Sequence, residues 1–119
     1  MNDGKHSGGY FSFEKLDVYR VSRELVAWVH QDLFPRLPRG AGSVRDQLNR
    51  ASESVMLNIA EGAEQETPGK ARQHYRHAKA SAGECFAALD KLGLTGVGNL
   101  ELGVQLTRRL GAMLRRMAN

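Results

Sequence analysis

The chain has 119 residues, of which 41% are hydrophobic and 25% are charged, and its formal net charge is +4. This length and apolar content predict one folded domain and exclude a wholly disordered chain. No run of about 18 apolar residues occurs, so we expect no membrane span. The single cysteine, Cys85, cannot form an internal disulfide. That favours a reducing compartment and therefore a cytoplasmic protein.

The first residues, MNDGKHSGGYF, are rich in glycine and polar side chains. They lack the apolar core of a signal peptide. We predict a flexible N-terminal leader over residues 1–11, followed by a single helical domain over residues 12–119.

The first predicted helix covers about residues 13–33. Its broad apolar face includes Val21 and Trp28, and Ser12 is of the residue type preferred at a helix N-cap. We expect the helix to end before Pro35, because proline lacks a backbone N–H and clashes with the preceding turn.

The second predicted helix covers about residues 43–61, with Ser43 as its N-cap and Gly62 as its C-terminal glycine. Its apolar stripe is Leu48, Ala51, Val55 and Ile59. The polar residues close to that stripe are Gln47, Ser54, Asn58 and Glu61. A buried polar group without a partner costs about 1–3 kcal/mol. This helix is therefore expected either to specify how its neighbours pack or to build an interface.

The third predicted helix covers about residues 68–92, with Thr67 as its N-cap and Pro68 at its first position, where proline is favoured. Its apolar residues alternate steps of four and three, the spacing of a heptad seam. They are Ala71, Tyr75, Ala78, Ala82, Cys85, Leu89 and Leu92. Gly93 is expected to end this helix.

The fourth predicted helix covers about residues 99–117, with Asn99 as its N-cap. Its apolar residues are Leu106, Leu110, Met113 and Met117. No strand-like alternation competes with the helical pattern. Four helices of this length with short loops predict an all-α protein, an antiparallel up-down-up-down four-helix bundle.

The helices carry more apolar surface than a bundle of this size is expected to bury. Val21 and Trp28 widen the apolar face of the first helix, and Phe86 widens that of the third. We expect part of this surface to form an oligomer interface.

The residues that could carry chemistry do not form a reactive group. His74 and His77 lie one helical turn apart, but two ligands do not make a metal site, and we interpret them as solvated histidines. Cys85 falls on the heptad seam and is expected in the core. Glu61 and Glu84 are expected to accept hydrogen bonds rather than to act as an acid–base pair. The sequence predicts no catalytic residues, no metal, no cofactor and no enzymatic activity.

Two stretches of the chain are cationic and contain no acid. On the third helix, Arg72, Arg76 and Lys79 step by four and three and share one face. On the fourth helix the cations are Arg108, Arg109, Arg115 and Arg116. Such faces suit sequence-independent contacts with nucleic-acid phosphate. A solvated helical face accounts for the same residues equally well.

Several segments, in this order, resemble one protein family. The segments are FEKLDVYRVSREL, Phe34-Pro35, QLNRASESVMLNIAEG and YRHAKASAGE. The chain resembles the bacterial four-helix-bundle family of proteins encoded within intervening sequences of large-subunit ribosomal RNA genes, which includes accessory proteins of diversity-generating retroelements. The resemblance covers about residues 11–94. It departs at Val55, where isoleucine is usual, and at Ala80, where glycine is frequent.

The resemblance implies a bundle that assembles into a ring, usually a pentamer, with a basic surface able to bind nucleic acid and no catalytic activity. The polar positions that match the family's pattern are Gln47, Arg50, Ser54, Asn58, Glu61, Ser81 and Glu84. We interpret these residues as determinants of packing and assembly. In the retroelement members the partner is a reverse transcriptase with its template RNA.

Two hypotheses of function follow. The first is a non-enzymatic homo-oligomer that binds RNA or DNA phosphate through the cations of the third and fourth helices. The second is a scaffold that binds a protein partner, such as a reverse transcriptase, through the apolar excess of the first and third helices.

Overall fold

A computed structural model describes residues 11–119, which contain four long helices and no strand. Helix α1 runs through Asp17–Trp28, a π-helical segment Val29–Leu33 and a last turn Phe34–Arg36. The other helices are α2 (Gly42–Ala63), α3 (Pro68–Leu94) and α4 (Glu101–Ala118). The predicted all-α class is confirmed. The predicted leader, except for Phe11, lies outside the described residues.

The start of α3 follows from its local sequence. Thr67 is its N-cap, and the Thr67 hydroxyl accepts a hydrogen bond from the backbone N–H of Lys70 at 3.4 Å. Pro68 occupies the first turn, where its missing N–H removes no helical hydrogen bond. Both predictions are confirmed.

The predicted N-caps of the other helices are wrong. Ser12 begins a short 3-10 turn (Ser12–Lys15), and its hydroxyl donates to Glu64 at 3.1 Å instead of capping a helix. Ser43 lies inside the first turn of α2, which begins one residue earlier. Asn99 has a φ of 55°, and α4 begins two residues after it. Tertiary contacts override the local capping preference near Ser12 and Asn99, where Glu64 and Arg36 supply the partners.

The helix ends that we predicted from Pro35 and Gly93 also differ from those in the structure. Helix α1 continues through Pro35 to Arg36. The π-helical segment widens the backbone just before that proline, where the N–H of Phe34 bonds to the carbonyl of Val29. That widening accommodates a residue without an N–H. Gly93 lies within α3, which ends at Leu94.

Gly62 lies inside α2, where an aromatic ring from α3 covers it. A Cβ at Gly62 would lie 2.6 Å from Cε1 of Tyr75, closer than two carbon atoms can approach. The glycine thus permits close contact between two helices rather than ending one. Desolvation of the Tyr75 phenol raises its pKa.

The core lies between the helices, with α3 packed against α2 and α4, and α1 packed against the same two helices. The buried seam of α3 matches the predicted heptad: Ala78, Ala82, Cys85, Leu89 and Leu92. On α4 the predicted Leu106 and Leu110 are buried, whereas Met113 and Met117 are half-buried. Leu114 is fully buried instead. No helix within residues 11–119 is long and apolar enough to cross a membrane.

The two residues predicted to widen the apolar face of the first helix do not lie on its surface. Val21 is 5% exposed and Trp28 is 6% exposed, so both belong to the core. Trp28 fits because its six-membered ring lies directly on Gly103 of α4. The prediction that these two side chains feed an oligomer interface is therefore wrong.

Replacement of Gly103 tests the contact with Trp28. An added Cβ would overlap the Trp28 ring, so we expect Gly103→Ala to lower the free energy of unfolding by about 1–3 kcal/mol. Gly111→Ala is the matched control on the same helix, because its added Cβ would meet no atom within 4 Å. Helix propensity alone should make that control more stable by up to about 1 kcal/mol. Urea unfolding at equal protein concentration measures the free energy of unfolding of both variants. A Gly103→Ala protein that is as stable as the wild type would contradict the contact.

Candidate nucleic-acid interface

Two cations of α3, Arg72 and Lys79, lie on the side of that helix that faces α4, and a third, Arg76, lies next to them. Arg72, Lys79 and Phe86 follow one another at intervals of seven, about two helical turns, so they share one side. Arg76, four residues after Arg72 and three before Lys79, is their neighbour about 40–60° further around the helix, on the exposed side. Phe86 contacts Arg108 of α4, which identifies this side as the one that faces α4.

The contact between Arg108 and Phe86 joins the two cationic helices. The guanidinium carbon of Arg108 lies 5.3 Å from the centroid of the Phe86 ring. That distance is within the range of a cation–π interaction, which contributes about 0.5–1 kcal/mol at an exposed site. The contact positions an exposed, planar cation over a half-buried ring at the seam between α3 and α4.

The four arginines of α4 divide into two pairs. Arg108 and Arg115 are seven residues apart and share the side towards α3. Arg109 and Arg116 are the next residues, about 100° further around the helix. All four side chains are exposed. The structure therefore brings five predicted cations to one seam, here named the α3–α4 basic strip: Arg72, Arg76, Lys79, Arg108 and Arg115.

A groove of about 440 Å³ lies beside Arg108, between the end of α3 and the start of α4. We name it the α3–α4 groove. Its buried and half-buried lining residues are apolar: Leu89, Val97, Leu100 and Val104. Its exposed polar lining residues are Asp90, Asn99, Glu101, Gln105 and Arg108. The basic strip thus leads into a concave surface with an apolar floor.

Arg36 of α1 fixes the loop at the edge of this groove. Its two terminal nitrogens donate hydrogen bonds to the carbonyl oxygens of Gly98 and Asn99, each at 2.8 Å. Its Nε lies 3.6 Å from a carboxylate oxygen of Asp32. The two carbonyl bonds hold Asn99 in its left-handed conformation. Arg36 therefore shapes the groove from outside it.

A chain of hydrogen bonds connects α2 and α3 on the other side of α3. His74 Nδ1 donates to Asn58 Oδ1 at 3.2 Å, and Asn58 Nδ2 donates to Ser54 Oγ at 3.1 Å. The hydroxyls of Ser54 and Ser81 lie 2.8 Å apart. His74 is half-buried in this chain, so its interpretation as a solvated histidine is wrong.

The remaining candidate packing residues divide between this seam and the surface. Gln47 Nε2 donates to a carboxylate oxygen of Glu84 at 3.4 Å, which adds a bond between α2 and α3. Arg50 and Glu61 are exposed, and their spacing of 11 residues places them on one outward side of α2. Leu57, 58% exposed, shares that side.

Cys85 lies in the core, as its heptad position predicted, with 0% of its surface exposed. Burial, and to a lesser extent the neighbouring Glu84 carboxylate, raises the pKa of the thiol to about 12. A thiol with that pKa is protonated at neutral pH and is a poor nucleophile. Within residues 11–119, no group of three or more His, Cys, Asp or Glu side chains is arranged to hold a metal ion.

Sequence reasoning overlooked His74 and Phe86 as contact residues. His74 precedes Ser81 by seven residues, and Phe86 follows Lys79 by seven, so both were recognisable as members of the same helix sides. Their partners were not recognisable, because Asn58 and Arg108 come from other helices. The groove also escaped prediction, since it depends on how the loop before α4 folds.

The comparisons with known proteins give one result. A protein-family model described as 23S rRNA-intervening sequence protein matches residues 14–118, which is most of the chain. The search of curated proteins and the search of solved structures give no match.

A double-mutant cycle tests the bond between Ser54 and Ser81. We expect the coupling energy of Ser54→Ala and Ser81→Ala to be about 0.5–1.5 kcal/mol in urea unfolding, since both replacements remove the same hydrogen bond. The matched cycle of Ser54→Ala with Ser43→Ala, an exposed serine at the start of α2, should be additive. Additivity of both cycles would contradict a direct bond between the helices.

Alkylation tests the burial of Cys85. Because its pKa is about 12 in the folded protein, the thiolate fraction at pH 8 should be lower than that of a free cysteine by a factor on the order of a thousand. Iodoacetamide should therefore react slowly with the native protein, faster as pH rises towards 12, and readily in urea. The control is Ala87→Cys in a Cys85→Ala background, with an exposed thiol on the same helix. Equal rates for the two native proteins would show that Cys85 is accessible.

Proposed function

We propose that this chain, which belongs to the 23S rRNA-intervening sequence protein family, is a non-enzymatic homo-oligomer that binds RNA or DNA phosphate through the α3–α4 basic strip. The observation that carries the proposal is the convergence of cations from two helices on one seam, around the contact between Arg108 and Phe86. Phosphates follow one another along a nucleic-acid backbone, and a linear strip of cations matches that arrangement.

The bundle in this proposal is antiparallel, which places the strip's cations on α4 beside its cations on α3. The pairs between α2 and α3 are Gln47 with Glu84, Ser54 with Ser81, and Asn58 with His74. The neighbours between α3 and α4 are Gly93 with Leu100 and Phe86 with Arg108. In both sets the residue number rises along one helix and falls along the other, which supports opposite directions. Arg115 then lies towards the end of α3 that carries Arg72.

The outward side of α2 is the proposed contact between copies of the chain in a ring, for which we propose five copies. Leu57 is 58% exposed there, with Arg50 and Glu61 on the same side. An exposed leucine between opposite charges suits an interface with an apolar centre and a polar rim. The half of α3 that carries the basic strip stays free in this arrangement.

Absence of catalysis is part of the proposal. The chain's cysteine is buried with a raised pKa, and the serines Ser54 and Ser81 contact each other rather than a base. We propose that the protein acts in the cytoplasm, where an unpaired cysteine is stable.

The alternative hypothesis, a scaffold for a protein partner such as a reverse transcriptase, has less support. It required exposed apolar surface on the first and third helices. Val21 and Trp28 are buried, and Phe86 is half-buried beneath Arg108. The large apolar side chain that α3 does expose is Leu94, 82% exposed at the last residue of the helix, where it lines the groove. Four cations of the strip, Arg76, Lys79, Arg108 and Arg115, are exposed, as phosphate binding requires, and Arg72 is half-buried.

Salt titration tests the strip. For a double variant, Arg76→Gln with Lys79→Gln, we expect weaker binding to RNA at low salt. The plot of log affinity against log salt should flatten by about two, one for each lost phosphate contact. The matched control is Arg20→Gln with Arg23→Gln, exposed cations of α1, a helix that packs on α2 and α4. It should keep the wild-type slope, and absence of any binding at about 50 mM salt would overturn the proposal.

Replacement of Leu57 tests the assembly. We expect the wild-type chain to sediment as an oligomer at micromolar concentration and Leu57→Asp to sediment as a monomer, because a carboxylate would be desolvated at the interface. Leu102→Asp is the control, since Leu102 is an exposed leucine, 45% accessible, on α4. Circular dichroism checks that both variants stay helical. A monomeric wild-type chain would contradict the oligomer.

A further inference from the structure

The α3–α4 groove has the size and lining of a small-ligand site. Its volume of about 440 Å³ lies within the range of about 300–1,000 Å³ that such sites occupy. Leu100 is 8% exposed and Leu89 is fully buried, so the floor is apolar and continuous with the core. Polar groups are confined to exposed residues around it. A small, mainly apolar molecule with polar edges therefore suits the groove.

The two carboxylates at the groove disfavour a phosphate as its occupant. Asp90 and Glu101 both line it, and two carboxylates repel an anion. The same oxygens accept hydrogen bonds from N–H groups. The cation Arg108 lies at the junction between groove and basic strip, because it belongs to both. A ligand with an anionic part on the strip and an uncharged, N–H-bearing part in the groove satisfies both regions.

We propose that the α3–α4 groove receives one unpaired nucleobase of the nucleic acid whose backbone lies on the basic strip, an inference that rests on the proposed function. A nucleotide has the required division into an anionic phosphate and a flat base with polar edges. Aromatic and guanidinium planes are the surfaces on which proteins stack unpaired bases. Arg108, held over the Phe86 ring, supplies such a plane at the entrance.

The loop before α4 makes the groove ready to receive a base. Arg36 binds the carbonyls of Gly98 and Asn99, and Asn99 is held with a φ of 55°. A loop at a groove's edge whose backbone is already fixed loses less conformational entropy when a ligand binds. The proposed consequence is a preference for single strands or flipped bases over a continuous duplex, in which every base is stacked and paired.

Binding to three probes of equal length tests the inference: a DNA single strand, an abasic strand with the same number of phosphates, and a blunt duplex. We expect the wild-type protein at about 50 mM salt to bind the single strand about tenfold more tightly than the abasic strand, the size expected for one stacked base. Fluorescence anisotropy measures all three affinities.

Two variants assign the difference to the groove. Gly93 lines the groove, and its added Cβ would meet Leu100 at an ordinary 3.7 Å, so Gly93→Met fills the space without a backbone clash. It should abolish the preference for the base-bearing strand while leaving abasic binding within twofold. Ala87→Met, exposed on the same helix, is the matched control and should keep the preference. Arg108→Lys keeps the charge but removes the planar group, and should reduce the preference as well.

Each outcome is decisive. Equal wild-type affinity for the base-bearing and abasic strands would overturn the groove inference and leave phosphate binding intact. A preference that Gly93→Met and Arg108→Lys both retain would place the base elsewhere and overturn it too. Binding of none of the three probes, nor of an RNA strand of the same length, would instead overturn the proposed function itself. Loss of the preference in Gly93→Met but not in Ala87→Met, with the abasic affinity of Gly93→Met within twofold of wild type, supports the inference.

Discussion

The hydrogen-bond chain between α2 and α3 sets how α3 is rotated in the bundle, and the position of every cation on α3 depends on that rotation. Ser81 faces α2 through its bond to Ser54. Lys79, two residues earlier, is turned by about 160° from Ser81, so it faces away from α2 and towards α4. Ser54 and Asn58 are polar residues beside the apolar stripe of α2. Through their bonds to α3 they thus orient the cations on the opposite side of α3.

The seam between α3 and α4 depends on α1 as well. Trp28 packs on Gly103, and Arg36 binds the loop that precedes α4. These two contacts lie near the start of α4, close to the groove. The π-helical segment between them lets α1 continue through Pro35 and deliver Arg36 to that loop. Helix α1 therefore shapes the groove without lining it.

The four helices and most of the core could be predicted from the sequence because they follow from periodicity. The heptad of α3 identified Ala78, Cys85 and Leu89 as core residues. Helix ends were harder to predict, because the ends near Ser12 and Asn99 are set by partners distant in the sequence. The cationic faces were visible as charge patterns. The division of the four α4 arginines into a pair that faces α3 and a pair that does not could not be predicted, since it depends on which side of α4 meets α3.

Two glycines in this bundle each accommodate an aromatic ring from another helix: Gly103 beneath Trp28, and Gly62 beneath Tyr75. In each pair the size of one side chain sets the limit for the other. A change that enlarges either glycine is tolerated only if its aromatic partner becomes smaller. In relatives that keep this packing, positions 28 and 103 should therefore covary, as should positions 62 and 75. Such paired variation would reveal helix contacts from sequences alone.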